Sequence, residues 1–98
     1  MVERTKNMAG PLLMGGEIAD AVIEAAKIDN PGKDIIVDDH TAYVRIEADG
    51  GMIIREETVG ECLGRPFEIR DLEVKLSGYS GFIETHDDYV RFYLDKVL

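Results

Sequence analysis

Apolar residues recur at Ile18, Ala21, Val22 and Ala25, the i, i+3, i+4, i+7 spacing of one helical face, while Glu17, Asp20, Glu24 and Lys27 fill another stripe. The spacing predicts an amphipathic helix over residues 17–28 with an acidic face. Glu17 and Asp20 fall in its first turn, where they complement the helix dipole. At Asp29-Asn30-Pro31-Gly32 this period stops, and a two-residue period takes over through Ile35, Val37, Ala42, Val44 and Ile46. Pro31 has no amide hydrogen and pushes Asn30 out of the helical region, and Gly32 tolerates a positive φ, so the chain must turn. Asn30 then stands at the tip of a corner between helix and sheet. Two roles are open to it: a helix stop, or a contact offered to a partner from a surface connection.

The remaining pattern extends this reading in both directions. Residues 1–9 are polar and aperiodic, which predicts a mobile tail before a folded domain over residues 10–98. Residues 10–16 read as a short apolar strand between glycines. Gly10 and Gly15 have phosphate-loop spacing, but Gly16 and Glu17 occupy the positions where such a loop needs lysine and a hydroxyl, so no nucleotide site is expected. Beyond the corner, residues 35–37 form a predicted strand, Asp38-Asp39-His40 a turn, and residues 41–48 a strand with Ala42, Val44, Ile46 and Ala48 inward and Tyr43, Arg45 and Glu47 outward. Asp49-Gly50-Gly51 signals a hairpin to a returning strand over residues 52–55.

Thr58 and Glu61 have capping-box spacing for a short helix closed by Gly64, with Cys62 and Leu63 inward. A helical turn follows over residues 68–71. Leu72, Val74 and Leu76 then alternate with Glu73, Lys75 and Ser77 as a strand that Gly78-Tyr79-Ser80-Gly81 interrupts. A last hairpin pairs residues 82–85 with residues 89–94 around His86-Asp87-Asp88. Helix followed by strands thus occurs twice, which predicts an α+β domain with two similar halves.

Composition narrows the function. The 98 residues suffice for one domain, and 45% hydrophobic with 32% charged residues is the balance of an ordinary globule. No stretch is long and apolar enough for a membrane span or a signal peptide, and one cysteine, Cys62, fits a reducing compartment, so a cytoplasmic protein is expected. Twenty acidic against eleven basic residues give a net charge of −9, which repels nucleic acid and anionic membranes. Asp38, Asp39 and His40 are adjacent in a short turn and cannot converge on one ion without further ligands. No catalytic, cofactor-binding or metal-binding constellation assembles. Two classes remain: a protein that acts by binding another protein, and a stand-alone small-molecule-binding protein or small enzyme whose site has no recognisable pattern.

Four segments decide between them by resemblance: Ile28-Asp29-Asn30-Pro31-Gly32-Lys33, Ala42-Tyr43-Val44-Arg45-Ile46, Leu63-Gly64-Arg65-Pro66-Phe67 and Arg91-Phe92-Tyr93-Leu94-Asp95-Lys96. In this order and spacing the chain resembles the effector, or coupling, proteins of bacterial multicomponent diiron monooxygenases, nearest to the toluene monooxygenase branch. The resemblance implies a single domain of two β-α-β-β halves, mainly antiparallel sheets packed with short helices. It also implies a regulatory subunit without cofactor that docks on the hydroxylase over a diiron centre held by that partner. There it controls oxygen activation, substrate access and the coupling of electron transfer to hydroxylation of an aromatic or alkene hydrocarbon, excluding the Rieske ferredoxin from the same surface. The family's docking loop corresponds here to Ser77, Gly78, Tyr79, Ser80 and Gly81. The chain departs from its relatives in placing Tyr79 in that loop and His40 where arginine is frequent.

Overall fold

The structure, a computed structural model, describes residues 7–94. The order of elements is β1 (Met8–Met14), α1 (Glu17–Asp29), β2 (Ile36–Asp39), β3 (Tyr43–Asp49), β4 (Gly51–Arg55), α2 (Glu56–Leu63), α3 (Ile69–Lys75), β5 (Leu76–Ser80), β6 (Phe82–Thr85) and β7 (Tyr89–Tyr93). They build two antiparallel sheets, ordered β2-β3-β1-β5 and β4-β7-β6. In each half the first strand lies beside the last, a helix follows the first strand, and the last two strands form a hairpin. The two-half α+β architecture expected from the pattern is therefore present, with α3 and β5 added to the second half. Among the described residues, no helix is long and apolar enough to cross a membrane.

The halves also share a sequence signature at their hairpins. Asp38-Asp39-His40-Thr41-Ala42-Tyr43-Val44-Arg45 and Glu84-Thr85-His86-Asp87-Asp88-Tyr89-Val90-Arg91 have the form acid-x-His-x-x-Tyr-Val-Arg. In both, the histidine backbone N–H donates to the tyrosine carbonyl at 2.9 Å and the two rings stack, with centroids 4.8 Å apart in the first turn and 4.3 Å in the second. The acid holds the ring edge: Asp38 Oδ1 lies 3.1 Å from His40 Nε2 and Glu84 Oε1 2.6 Å from His86 Nε2. Each histidine thus locks a turn.

Leu13, Val22, Ile46, Ile54, Val59, Leu72, Val90 and Phe92 are the main fully buried side chains, drawn from both sheets and all three helices. α1 contributes mostly small residues, Ala19, Ala21, Ala25 and Ala26 around Val22, which lets it pack closely on α2 and β4. The period predicted Ala21, Val22 and Ala25 on this face; Ala19 and Ala26 widen it, and Ile18 is only partly buried.

Several expectations are corrected. β1 begins at Met8, and Met8 and Ala9 are buried against β3 opposite Asp49 and Ala48; residues 1–6 of the expected tail lie outside the described residues. Asp49-Gly50-Gly51 does not close a hairpin. Gly50 (φ 79°) and Gly51 (φ 101°) carry the chain from one sheet to the other, and β4 pairs with β7. A Cβ on Gly51 would lie 2.0 Å from the Phe92 carbonyl oxygen, so only glycine fits this crossing. α2 starts at Glu56, and Thr58, instead of capping it, is buried inside it and donates to Asp29 Oδ1 at 2.7 Å. Cys62 faces solvent. Residues 72–75 are helical, and Val74 is 74% exposed. Ile69, Leu72 and Leu76 also form a helical stripe, and α3 is fixed by a reciprocal cap in which the Glu68 N–H donates to Asp71 Oδ2 at 3.2 Å.

Candidate functional site

Asn30 is the first candidate, and its surroundings start from the edge of β4. β7 takes one side of that strand, leaving the backbone groups of Gly51, Ile53 and Arg55 directed to the other, where a further strand would pair. Three side chains at and just beyond the end of α1 occupy that edge instead. Asp29 Oδ2 accepts from the Arg55 N–H at 2.8 Å. Asn30 forms a two-point pair with Ile53: its Nδ2 donates to the carbonyl at 2.7 Å, and its Oδ1 accepts from the N–H at 2.9 Å. Lys33 Nζ donates to the Gly51 carbonyl at 2.6 Å and to the Asp49 carbonyl at 3.1 Å. A carboxamide offers the same donor and acceptor as a peptide group, so Asn30 substitutes for a neighbouring strand.

The second N–H of the Asn30 amide donates to the Ala26 carbonyl at 2.8 Å, beside the Asn30 backbone N–H at 3.1 Å, closing the last turn of α1. Both amide hydrogens are engaged within the chain. Of the two roles open to Asn30, this geometry fulfils the helix stop and ties the stop to β4, and it leaves no donor to offer a partner. Asp29 and Lys33 share this work, and only the register of β4 shows it.

The second candidate is the segment Ser77-Gly78-Tyr79-Ser80-Gly81. It is not a loop. Ser77 to Ser80 lie in β5, which pairs with β1 as Gly10–Ser80, Pro11–Tyr79 and Leu12–Gly78, with a bulge before Leu13–Leu76. β5 ends the sheet, and among the described residues no strand takes its outer edge. Gly81 turns the chain into β6 with φ 83°; a Cβ there would lie 2.6 Å from the Tyr93 carbonyl oxygen and 2.8 Å from the Ala9 Cβ. Tyr79 shares the face of its partner Pro11, which is buried, and its ring centroid is 6.2 Å from that of buried Phe92 at a 52° tilt. It is nevertheless 48% exposed. One side of the ring therefore packs on the core margin and the other faces solvent, which corrects the view of Tyr79 as a side chain standing clear on a loop.

Ser80 belongs to the opposite face, where its Oγ donates to Glu47 Oε2 at 2.7 Å, with Arg45 Nη1 3.9 Å from the same oxygen. Glu47 alternates with Val44 and Ile46 toward the expected wet face, yet is 4% exposed. A buried carboxylate needs such donors. Glu47 escapes a sequence reading because the serine that meets it lies in the other half of the chain.

Other reactive groups stand apart. The Cys62 thiol is pushed up in pKa by partial burial and by Glu24, Glu61 and Asp29, which keeps it protonated and a weak nucleophile. Among the described residues, no three histidine, cysteine, aspartate or glutamate side chains are grouped to hold a metal ion. What the described surface does offer is an open strand edge at β5 and partly exposed aromatics, Tyr43, Tyr79 and Phe82.

Comparison with known proteins agrees in scale and in fold. The alkene monooxygenase effector subunit of Xanthobacter autotrophicus is 35% identical over 88 residues, covering 90% of this chain and 87% of that one. The phenol 2-monooxygenase stimulatory component DmpM of a Pseudomonas species is 39% identical over 74 residues, covering 76% and 78%. Among solved structures, a chain of a phenol hydroxylase–regulatory protein complex superposes with a TM-score of 0.76 at 23% identity over 90% of this chain and 99% of its own. The soluble methane monooxygenase regulatory protein B gives 0.65 at 22% identity, over 97% and 70%. The model of the MmoB/DmpM family matches residues 7–93, nearly every described residue, and the chain belongs to that family.

Proposed function

We propose that this chain is the effector subunit of a multicomponent monooxygenase, a regulatory component that binds the hydroxylase and contributes no redox group of its own. The family match over residues 7–93 carries the reading, supported by relatives named effector, stimulatory and regulatory components. In this reading the hydroxylase holds the diiron centre and oxidises an aromatic or alkene hydrocarbon, as in the toluene monooxygenase branch, and the complex is cytoplasmic. Docking uses the edge of β5, with Ser77 and Tyr79 exposed there and Ser80 fixed from behind by Glu47. Gly78 keeps that edge low, since a Cβ there would meet only Leu12, at 3.9 Å, and Gly81 makes the turn that ends it. Asn30 acts indirectly, by holding α1 and β4 in place. Effector and Rieske ferredoxin then compete for one hydroxylase surface.

Reconstitution tests the proposal. Adding the purified chain to hydroxylase, ferredoxin and reductase is expected to raise both turnover and the fraction of electrons recovered as hydroxylated product, saturating at a fixed ratio to hydroxylase. The chain alone is expected to show no turnover and no stoichiometric metal. Stoichiometric iron or zinc in the purified protein, or turnover without the hydroxylase, contradicts it.

A further inference from the structure

The second sheet presents a face that the docking edge of β5 does not include. β4 pairs with β7 as Ile53–Arg91 and Arg55–Tyr89, and β7 pairs with β6 as Tyr93–Phe82. Cross-strand partners share a face, so these six side chains lie together, opposite buried Met52, Ile54, Val90 and Phe92. Phe82 is 51% exposed, and its ring centroid is 5.8 Å from that of Tyr93. The Arg91 guanidinium sits 4.4 Å over the Tyr93 ring, with Glu84 3.9 Å away.

Two properties separate this face from ordinary solvated surface. The first is charge: on a chain of net charge −9 the paired strands bring Arg55 and Arg91 together with Glu84, and the β4 margin adds Lys33 and Asp29, so cations outnumber carboxylates here. The second is composition, since exposed aromatics beside arginine are what interface centres carry. The first half gives an internal comparison. There the strand reads Tyr43-Val44-Arg45-Ile46-Glu47, and Glu47 lies beside Arg45; in the second half it reads Tyr89-Val90-Arg91-Phe92-Tyr93. An aromatic ring has taken the place of the carboxylate, and stacking on that ring orders the guanidinium before a partner arrives.

We propose that the outer face of β4-β7-β6, centred on Arg91 over Tyr93 and flanked by Phe82 and Arg55, is a second docking surface, for a protein partner that presents carboxylates beside an apolar ridge. Charge complementarity selects that occupant, because a basic patch on an acidic protein is attracted to acidic surface. Resting on the function proposed above, the partner is the hydroxylase component, whose contact then spans β5, Gly81 and β6 continuously.

The test is titration of purified hydroxylase with the full chain at low and high salt. The Arg55→Gln/Arg91→Gln variant is expected to bind at least about tenfold more weakly at low salt and to lose much of its salt dependence. Arg70→Gln, on exposed α3, is expected to bind as the wild type does. Thermal unfolding reports whether the double variant folds, and Arg55→Gln alone, with a smaller loss in the same direction, carries the test if it does not. Double-variant binding with unchanged affinity and salt dependence, while Tyr79→Ala binds weakly, overturns this surface and leaves the effector reading standing. A wild-type chain that fails to bind hydroxylase overturns both. Loss of self-association in the variant, with hydroxylase affinity unchanged, assigns the face to a second copy of the chain and overturns the acidic partner.

Discussion

The corner at Asp29-Asn30-Lys33 and the strand Leu76–Ser80 both stand at a sheet edge, and they treat it in opposite ways. At the corner, three polar side chains take up the backbone groups that β4 leaves open. At β5 the outer edge stays open among the described residues, and an aromatic ring rests half on the core beside it. Unpaired edges invite pairing with other chains, and proteins commonly cover the ones they do not use. The covered edge is therefore structural and the open one is available. A conspicuous polar residue at a rigid turn is a poor guide to a contact until its hydrogen bonds have been traced.

The largest effect that could break this comparison is at Asn30. Asn30→Ala removes three part-buried hydrogen bonds and leaves the Ile53 N–H and carbonyl without their side-chain partner, so a stability loss of about 3 kcal/mol is expected by chemical denaturation. An exposed contact residue would give near-neutral folding. Asn30→Asp is expected to be no better, because a carboxylate cannot donate to the Ile53 carbonyl. Folded Asn30→Ala protein should bind hydroxylase with unchanged affinity; a tenfold loss without destabilisation reverses the assignment.

Tyr79 supplies the converse. Its exposed side is predicted to carry about 2 kcal/mol of binding, as a central aromatic, while its packing on Phe92 carries about 1 kcal/mol of folding. Tyr79→Ala should separate the two in a hydroxylase titration run beside a denaturation curve. A variant that loses stability and binds normally would make β5 a second covered edge and remove the contrast.

How much of this was legible follows from how local each signal is. The period of α1, the stop at Pro31, the closing glycine of α2 and the β6–β7 hairpin depend on residues close in sequence, and all four appear in the structure. The crossing at Gly50-Gly51 was not legible, because two glycines permit a hairpin and a sheet switch equally. Only the first turn of α3 was legible, as the helical turn expected over residues 68–71; beyond it Leu72 and Leu76 satisfy both periods, and the cap that decides uses glutamate in place of a preferred capping residue. The candidate site fared worse for the same reason. Asn30 meets Ile53 and Glu47 meets Ser80 across the two halves, and neither pairing leaves a mark on nearby residues.

The smallest effect gives the comparison its lower bound. Arg65 grips Glu17 at two points, Nη1–Oε1 at 2.6 Å and Nη2–Oε2 at 3.3 Å, joining the start of α1 to the segment after α2 much as Asn30 joins its end to β4. Here both side chains are exposed, so water and salt screen the pair. The hydrogen bond from Arg65, and then its charge, hold the Glu17 carboxyl below the usual carboxylate range. With the folded value below the unfolded one, the stabilisation is present above the unfolded pKa and is lost as pH falls through the folded one. Glu17→Gln should therefore be slightly less stable than wild type near neutrality, and the gap should close in acid and narrow with added salt. The three bonds lost in Asn30→Ala join a neutral amide to backbone groups, and its deficit should persist across both changes. If the Glu17→Gln deficit equals that of Asn30→Ala and resists salt, burial is not what distinguishes a structural tie from a surface contact in this fold.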